Sequence, residues 1–146
     1  MSSWDDFLNL SEKKQARFLL DVASAAWDQH EKFNDIKIKV ESNLKLGYRV
    51  LEGDINSLHI LIRFLDDPNM IEDFSVFFEQ LKDNETAAAA LDLASYACGF
   101  VCRISAQNAG VNTLPDPVLE ALPDVYEYFR DRAGVLGLNT DNVDIK

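Results

Sequence analysis

The chain has 146 residues, 47% of them apolar, which suits one domain with a packed core and leaves too little for two. Its net charge of −11 argues against DNA, RNA or an anionic membrane as main partner, because each needs a basic footprint. No basic stretch leading into an apolar one follows Met1, so no signal peptide is expected and the expected location is the cytoplasm.

Helical periodicity runs through nearly the whole chain. Ser11 is a suitable N-cap, and Ala16, Leu19, Leu20, Ala23, Ala26 and Trp27 recur at three- and four-residue spacing, which predicts a helix from Ser11 to His30. Phe33, Ile36, Val40, Leu44, Gly47, Tyr48 and Leu51 repeat the pattern, and Gly53 closes the second helix. Asp35 to Glu41 alternates like a strand, yet the longer window keeps the 3.6-residue period, so helix is expected there too. A third helix from Ile55 to Leu65 must stop near Asp67, since Pro68 disfavours helix at the preceding residue. Met70, Ile71, Phe74, Phe77, Phe78 and Leu81 form the expected core stripe of a fourth.

The fifth segment, Glu85 to Gln107, is apolar nearly all round and carries an unbroken run from Ala87 to Ala90. Such a helix is expected at the centre, wrapped by the others, and Asn108-Ala109-Gly110 reads as its stop. It is broken by Asp92, Ser95, Gly99 and Arg103, so a buried helix is expected and not a membrane span. Leu114-Pro115-Asp116-Pro117 forms a turn, Pro123 opens the last helix, and Val125, Tyr126, Phe129 and Ala133 face inward. The expected fold is all-α: one bundle of five or six helices over residues 1–137 around a central apolar helix, then a polar tail over 138–146. Trp27, Leu44, Phe78, Ala94 and Val101 are expected in its core.

Little in the sequence points to catalysis. His30 and His59, the two histidines, sit in no metal-binding spacing and beside no nucleophile motif, and His59 reads as a partly buried, satisfied histidine of an apolar helix. Cys98 and Cys102 lie one helical turn apart, where a relaxed disulfide does not fit, and read as reduced core thiols. There is no glycine-rich phosphate loop. Asp66-Asp67-Pro68-Asn69 with Glu72-Asp73 lacks the alternating ligands and central glycine of a calcium loop and reads as a loop with capping acids. No enzyme activity, metal or cofactor is expected.

The informative feature is the placement of charge. Between Glu52 and Asp92 ten carboxylates face two basic residues, Arg63 and Lys82. A local excess of this kind draws a basic partner and speeds its encounter. In the fourth helix Glu72, Glu79 and Asp83 share a stripe with Val76, opposite the Phe residues; in the last, Glu120, Asp124, Glu127 and Asp131 repeat beside Tyr128. Like charges at that spacing repel, and an apolar residue among them has no core to fill. A partner-binding surface explains both features, with Asp66, Asp67 and Asp73 extending it and Val76 and Tyr128 as anchors. A plain solvated face is the competing account.

Trp27 in the first amphipathic helix, the Tyr48-to-Asp54 helix end, the small-residue fifth helix through Tyr96, and the Leu114-Pro115 turn into Pro117-Val118-Leu119-Glu120 together carry a resemblance. Over Ser11 to Asp131 the chain resembles bacterial immunity proteins of polymorphic or contact-dependent growth inhibition toxin systems, and is similar to their mostly helical sixth family. The resemblance implies a non-enzymatic cytoplasmic antitoxin that binds a cognate C-terminal toxin domain, and it implies no fixed contact residues. An acidic surface suits a nuclease, and a ribonuclease first, because such enzymes have basic clefts. The alternative reading is an acidic helical adaptor or regulatory subunit of a larger complex.

Overall fold

Three of the described helices begin where a side chain accepts from the open N–H groups of the first turn. In the computed structural model, which describes residues 6–30, 32–66, 74–110, 114, 118, 121 and 126–138, Ser11 Oγ accepts from the Lys14 N–H and opens α1 (Glu12–Asp28). Phe33 stands at the N-cap of α2 (Asn34–Leu51) in the left-handed region, at φ 59°, with no side-chain cap. Asp54 accepts from the N–H groups of Asn56 and Ser57 to open α3 (Ile55–Leu65). The short α4 (Phe74–Leu81) follows, and Asn84 accepts from the Ala87 N–H to open α5 (Glu85–Ala109). Gly110, at φ 73°, ends α5 in a conformation that side chains oppose, and α6 (Tyr126–Val135) is the last helix. Among the described residues the fold is all-α, with no strand.

Among the described residues, α1, α2, α3, α4 and α6 all pack on α5. In its first two turns Ala87, Ala88, Ala89 and Ala90 are buried, and small side chains let neighbouring backbones come close. Trp27 uses that space. Its indole is fully buried, and Nε1 donates to the Ala90 carbonyl at 2.9 Å, fixing α1 to α5. Further along, the buried Arg103 lies over the Phe100 ring, donates from Nε to the Ala121 carbonyl at 2.9 Å and reaches Glu12 at 3.2 Å. One cation thereby joins α5 to the start of α1 and to the stretch before α6. The helix is long and apolar enough to cross a membrane, but 83% of its most apolar window is buried inside the protein. Both cysteines are free and buried on it, and burial raises both thiols well above their ordinary range, so they stay neutral.

Several expectations meet the structure directly. Trp27, Leu44, Ala94 and Val101 are buried, and Asp35 to Glu41 is helical. Phe129 and Ala133 face the core, and Tyr126 stacks on Phe7 with ring centroids 4.9 Å apart. Phe78 departs from expectation. It is 37% exposed, whereas Phe77 beside it is buried and meets Phe64 of α3 at 6.2 Å. The inward side of so short a helix is chosen by what α3 and α5 offer, and with aromatic residues at both 77 and 78 the periodicity does not choose. Leu138, placed by sequence at the start of the tail, packs partly buried against the core. Met70, Ile71, Pro123, Val125 and the Pro115 to Pro117 turn lie outside the described residues, as does the tail from 139.

At Gly47 of α2 a buried side chain of α1 packs directly on the backbone. A Cβ there would stand 2.8 Å from Cδ2 of the buried Leu20. Gly47→Val is therefore expected to destabilise by about 1–3 kcal/mol through overpacking, which outweighs the helix-propensity gain of losing glycine. Urea denaturation reads this, and an unchanged midpoint would mean that the α1–α2 contact is looser than described.

Candidate partner-binding surface

The sequence-selected residues fall into two described groups. On α3 and α4, Asp66, Glu79 and Asp83 are exposed and Val76 is half-buried. Glu79 pairs with Lys82 one turn on, an exposed pair worth little to stability. On α6, Glu127 and Asp131 are exposed and Tyr128 is 52% exposed. Asp67, Glu72, Asp73, Glu120 and Asp124 lie outside the described residues.

A carboxylate that sequence reasoning passed over relates the two groups. Asp92 of α5 accepts from the Tyr128 hydroxyl at 3.1 Å and from Arg132 Nε at 2.9 Å. Glu85 and Asp92 are seven residues apart on α5, which puts them on one side of it about 10 Å apart along the axis. Asp83 lies in the turn just before Glu85. Asp92 thus holds α6 against α5, the helix that follows the Asp83 turn. Tyr128 also has a structural duty: its ring lies on the surface because its hydroxyl is tied down. Burial raises the Asp92 carboxyl above its ordinary value, although Tyr128 and Arg132 pull the other way.

The two histidines occupy different settings. His59 is exposed, contrary to the expected partial burial, because α3 turns its Leu58 and Leu61 side inward. His30 caps the α1–α2 corner: its ring meets Trp27 edge-on at 5.6 Å and stacks parallel to Phe33 at 6.1 Å. Its Nε2 is buried with no hydrogen-bond partner among the described residues. Burial lowers its pKa from the ordinary 6.5, and the nearby Lys37 and Lys32 lower it further. The unfolded chain therefore takes up this proton first, so the folded state loses stability as pH falls through about 6.5, and the loss is complete below the folded-state pKa. Thermal melts at pH 7.5 and 5.5 should show the fall. His30→Gln should flatten it, and an undiminished fall in that variant would assign it elsewhere.

The structure adds a feature that no linear pattern signals. A groove of about 470 Å³ runs between α2, α3 and α4. Ile38, Lys39, Ser42 and Leu46 form its α2 wall, Ile60, Arg63 and Phe64 its α3 wall, and Phe77 closes it from α4. Ile38 is 67% and Ile60 55% exposed, among the most open large apolar side chains described. Lys39 Nζ lies 5.8 Å from the centre of the Phe77 ring. Among the described residues no three His, Cys, Asp or Glu side chains converge as metal ligands. No family model matches the chain, and no curated protein or solved structure matches it either.

Proposed function

We propose that this chain is an immunity protein, a cytoplasmic antitoxin without catalysis of its own that binds and neutralises a cognate secreted toxin domain. The toxin is a nuclease, with ribonuclease the first choice, and the acidic surface enters its basic cleft where the phosphates of the substrate would lie. The observation that carries this reading is the Asp92 junction. It holds α6, with Glu127 and Asp131 exposed, against α5, whose first turn carries the exposed Glu85, so exposed carboxylates from separate helices can act on one partner. Such a field raises the encounter rate and fixes orientation.

Capture of the partner from the source cell with the tagged chain tests the proposal. The expected catch is a protein ending in a basic domain that degrades RNA, whose growth arrest is relieved when this chain is co-expressed. A specific partner that is harmless on its own, or toxicity that persists although the two bind, would overturn it.

A further inference from the structure

Where α1 begins and α2 ends, the local charge is opposite to that of the chain. A cleft of about 190 Å³ is lined there by Lys13, Lys14 and Arg17 of α1, by Tyr48 and Leu51 of α2, and by Glu52 just after it. At physiological salt the screening length is about 8 Å, so these side chains set the field in the cleft although the whole chain carries −11. None of the three cationic side chains has a hydrogen bond or ion pair among the described residues.

The placement of these cations works against the helix that carries them. Lys13 and Lys14 stand in the first turn of α1, at the positive end of its dipole, where acids are favoured. Lys13 and Arg17 are four residues apart and repel each other. Glu12, the acid of that turn, is drawn off by Arg103 at 3.2 Å. Tyr48 adds no negative charge, because burial and its bond to Asp21 raise the phenol above its ordinary range and it donates to that carboxylate. Glu52 is the one carboxylate of the lining, and it makes no ion pair among the described residues. An anion in the cleft relieves all of this repulsion at once.

Size and charge narrow the ligand. Pockets for drug-sized molecules hold roughly 300–1,000 Å³, so this cleft suits a small group. Three cations against one carboxylate leave a surplus that matches the charge of about −2 on a phosphate monoester above its second pKa. Lysine and arginine are the side chains that hold such a group. Leu51 and the Tyr48 ring offer an apolar wall to whatever the phosphate is attached to.

We propose that this cleft binds a phosphate monoester, with Lys13, Lys14 and Arg17 around the phosphoryl oxygens and the esterified group against Leu51 and the Tyr48 ring. The site is built from side chains of two helices and stands apart from the antitoxin reading, since its test needs no toxin.

The probes are phenyl phosphate and phenyl sulfate, alike in shape, the first near its full double charge at pH 7.5 and the second with a single one. Calorimetric titration of the whole chain at low salt should show saturable binding of the phosphate, at least about fivefold tighter than the sulfate. Lys14→Gln with Arg17→Gln should weaken it at least about tenfold, and Glu52→Gln, which removes the opposing charge, should tighten it about two- to fivefold. Lys82→Gln also deletes a cation, but Lys82 stands just before α5, whose axis runs about 27 Å from Glu85 to Arg103, so affinity should hold. All four positions are exposed, so melting temperatures should hold as well. A phosphotyrosine peptide separates the two sources of such an ester: binding tighter than phenyl phosphate assigns the ligand to a modified protein, and binding no tighter assigns it to a free molecule. Absence of saturable binding, equal affinity for phosphate and sulfate, no gain in Glu52→Gln, or a loss in Lys82→Gln as large as in the double variant would each overturn the proposal.

Discussion

Trp27→Ala should cost about 3–5 kcal/mol, the range for emptying a fully buried aromatic site. For a domain whose whole stability is about 5–15 kcal/mol this is a large share, and for a chain of this length it corresponds to roughly 6–20 °C in melting temperature. The residue is at 0% exposure on the inner face of α1, and its indole N–H is the side-chain hydrogen bond that fixes α1 to the alanine run of α5. It also forms the wall against which His30 rests. Trp27→Phe, which keeps most of the volume and loses the donor, should fall between the two. A Trp27→Ala melt within two or three degrees of wild type would remove α1 from the position described for it.

Reversing Glu79, Asp83 and Asp131 to Lys should slow association with the purified toxin partner by at least about tenfold at low salt and leave the fold intact. All three side chains are exposed, and surface changes of this kind cost within about 0.5 kcal/mol each. Lys82 loses its partner in the reversed protein, but it sits in water and loses little. Steering acts on the approach, so the wild-type on-rate should fall steeply as salt rises and that of the reversed protein should respond weakly. Val76→Ala and Tyr128→Ala should act on the off-rate instead, because anchors hold only after docking. Stopped-flow kinetics over a salt series separates the two classes. If neither set moves either rate, the acidic faces are solvated surface and the interface lies elsewhere.

What could be read from the sequence follows from how local each signal is. Ser11, Asp54, Asn84 and Gly110 act within four residues of where they stand, so helix limits were legible to within a residue or two. The central place of α5 was legible because a helix apolar on every side has nowhere else to go. The inward side of α4 was not: Phe77 and Phe78 are equivalent as a pattern, and Phe64, thirteen residues earlier, decides between them. His59 misled for a related reason, since apolar neighbours along a helix do not place a residue on their face. The partner of Tyr128 is 36 residues away, and the groove exists only once three helices are side by side. Spacing along single helices therefore marks each acidic stripe but not Asp92, the carboxylate that holds α6 to α5.

The bond between Trp27 and Ala90 spans 63 residues, and the one between Arg103 and Glu12 spans 91. During synthesis, at about 5–20 residues per second, roughly 3–13 s pass between the appearance of Trp27 and that of its acceptor. Until α5 is made, α1, α2 and α3 can pack only on one another and lack the helix that all three contact. The first half of this protein cannot finish folding ahead of the second, so a nascent chain halted before Glu85 should be held by chaperones or degraded, and protection of α1 should appear only when α5 emerges.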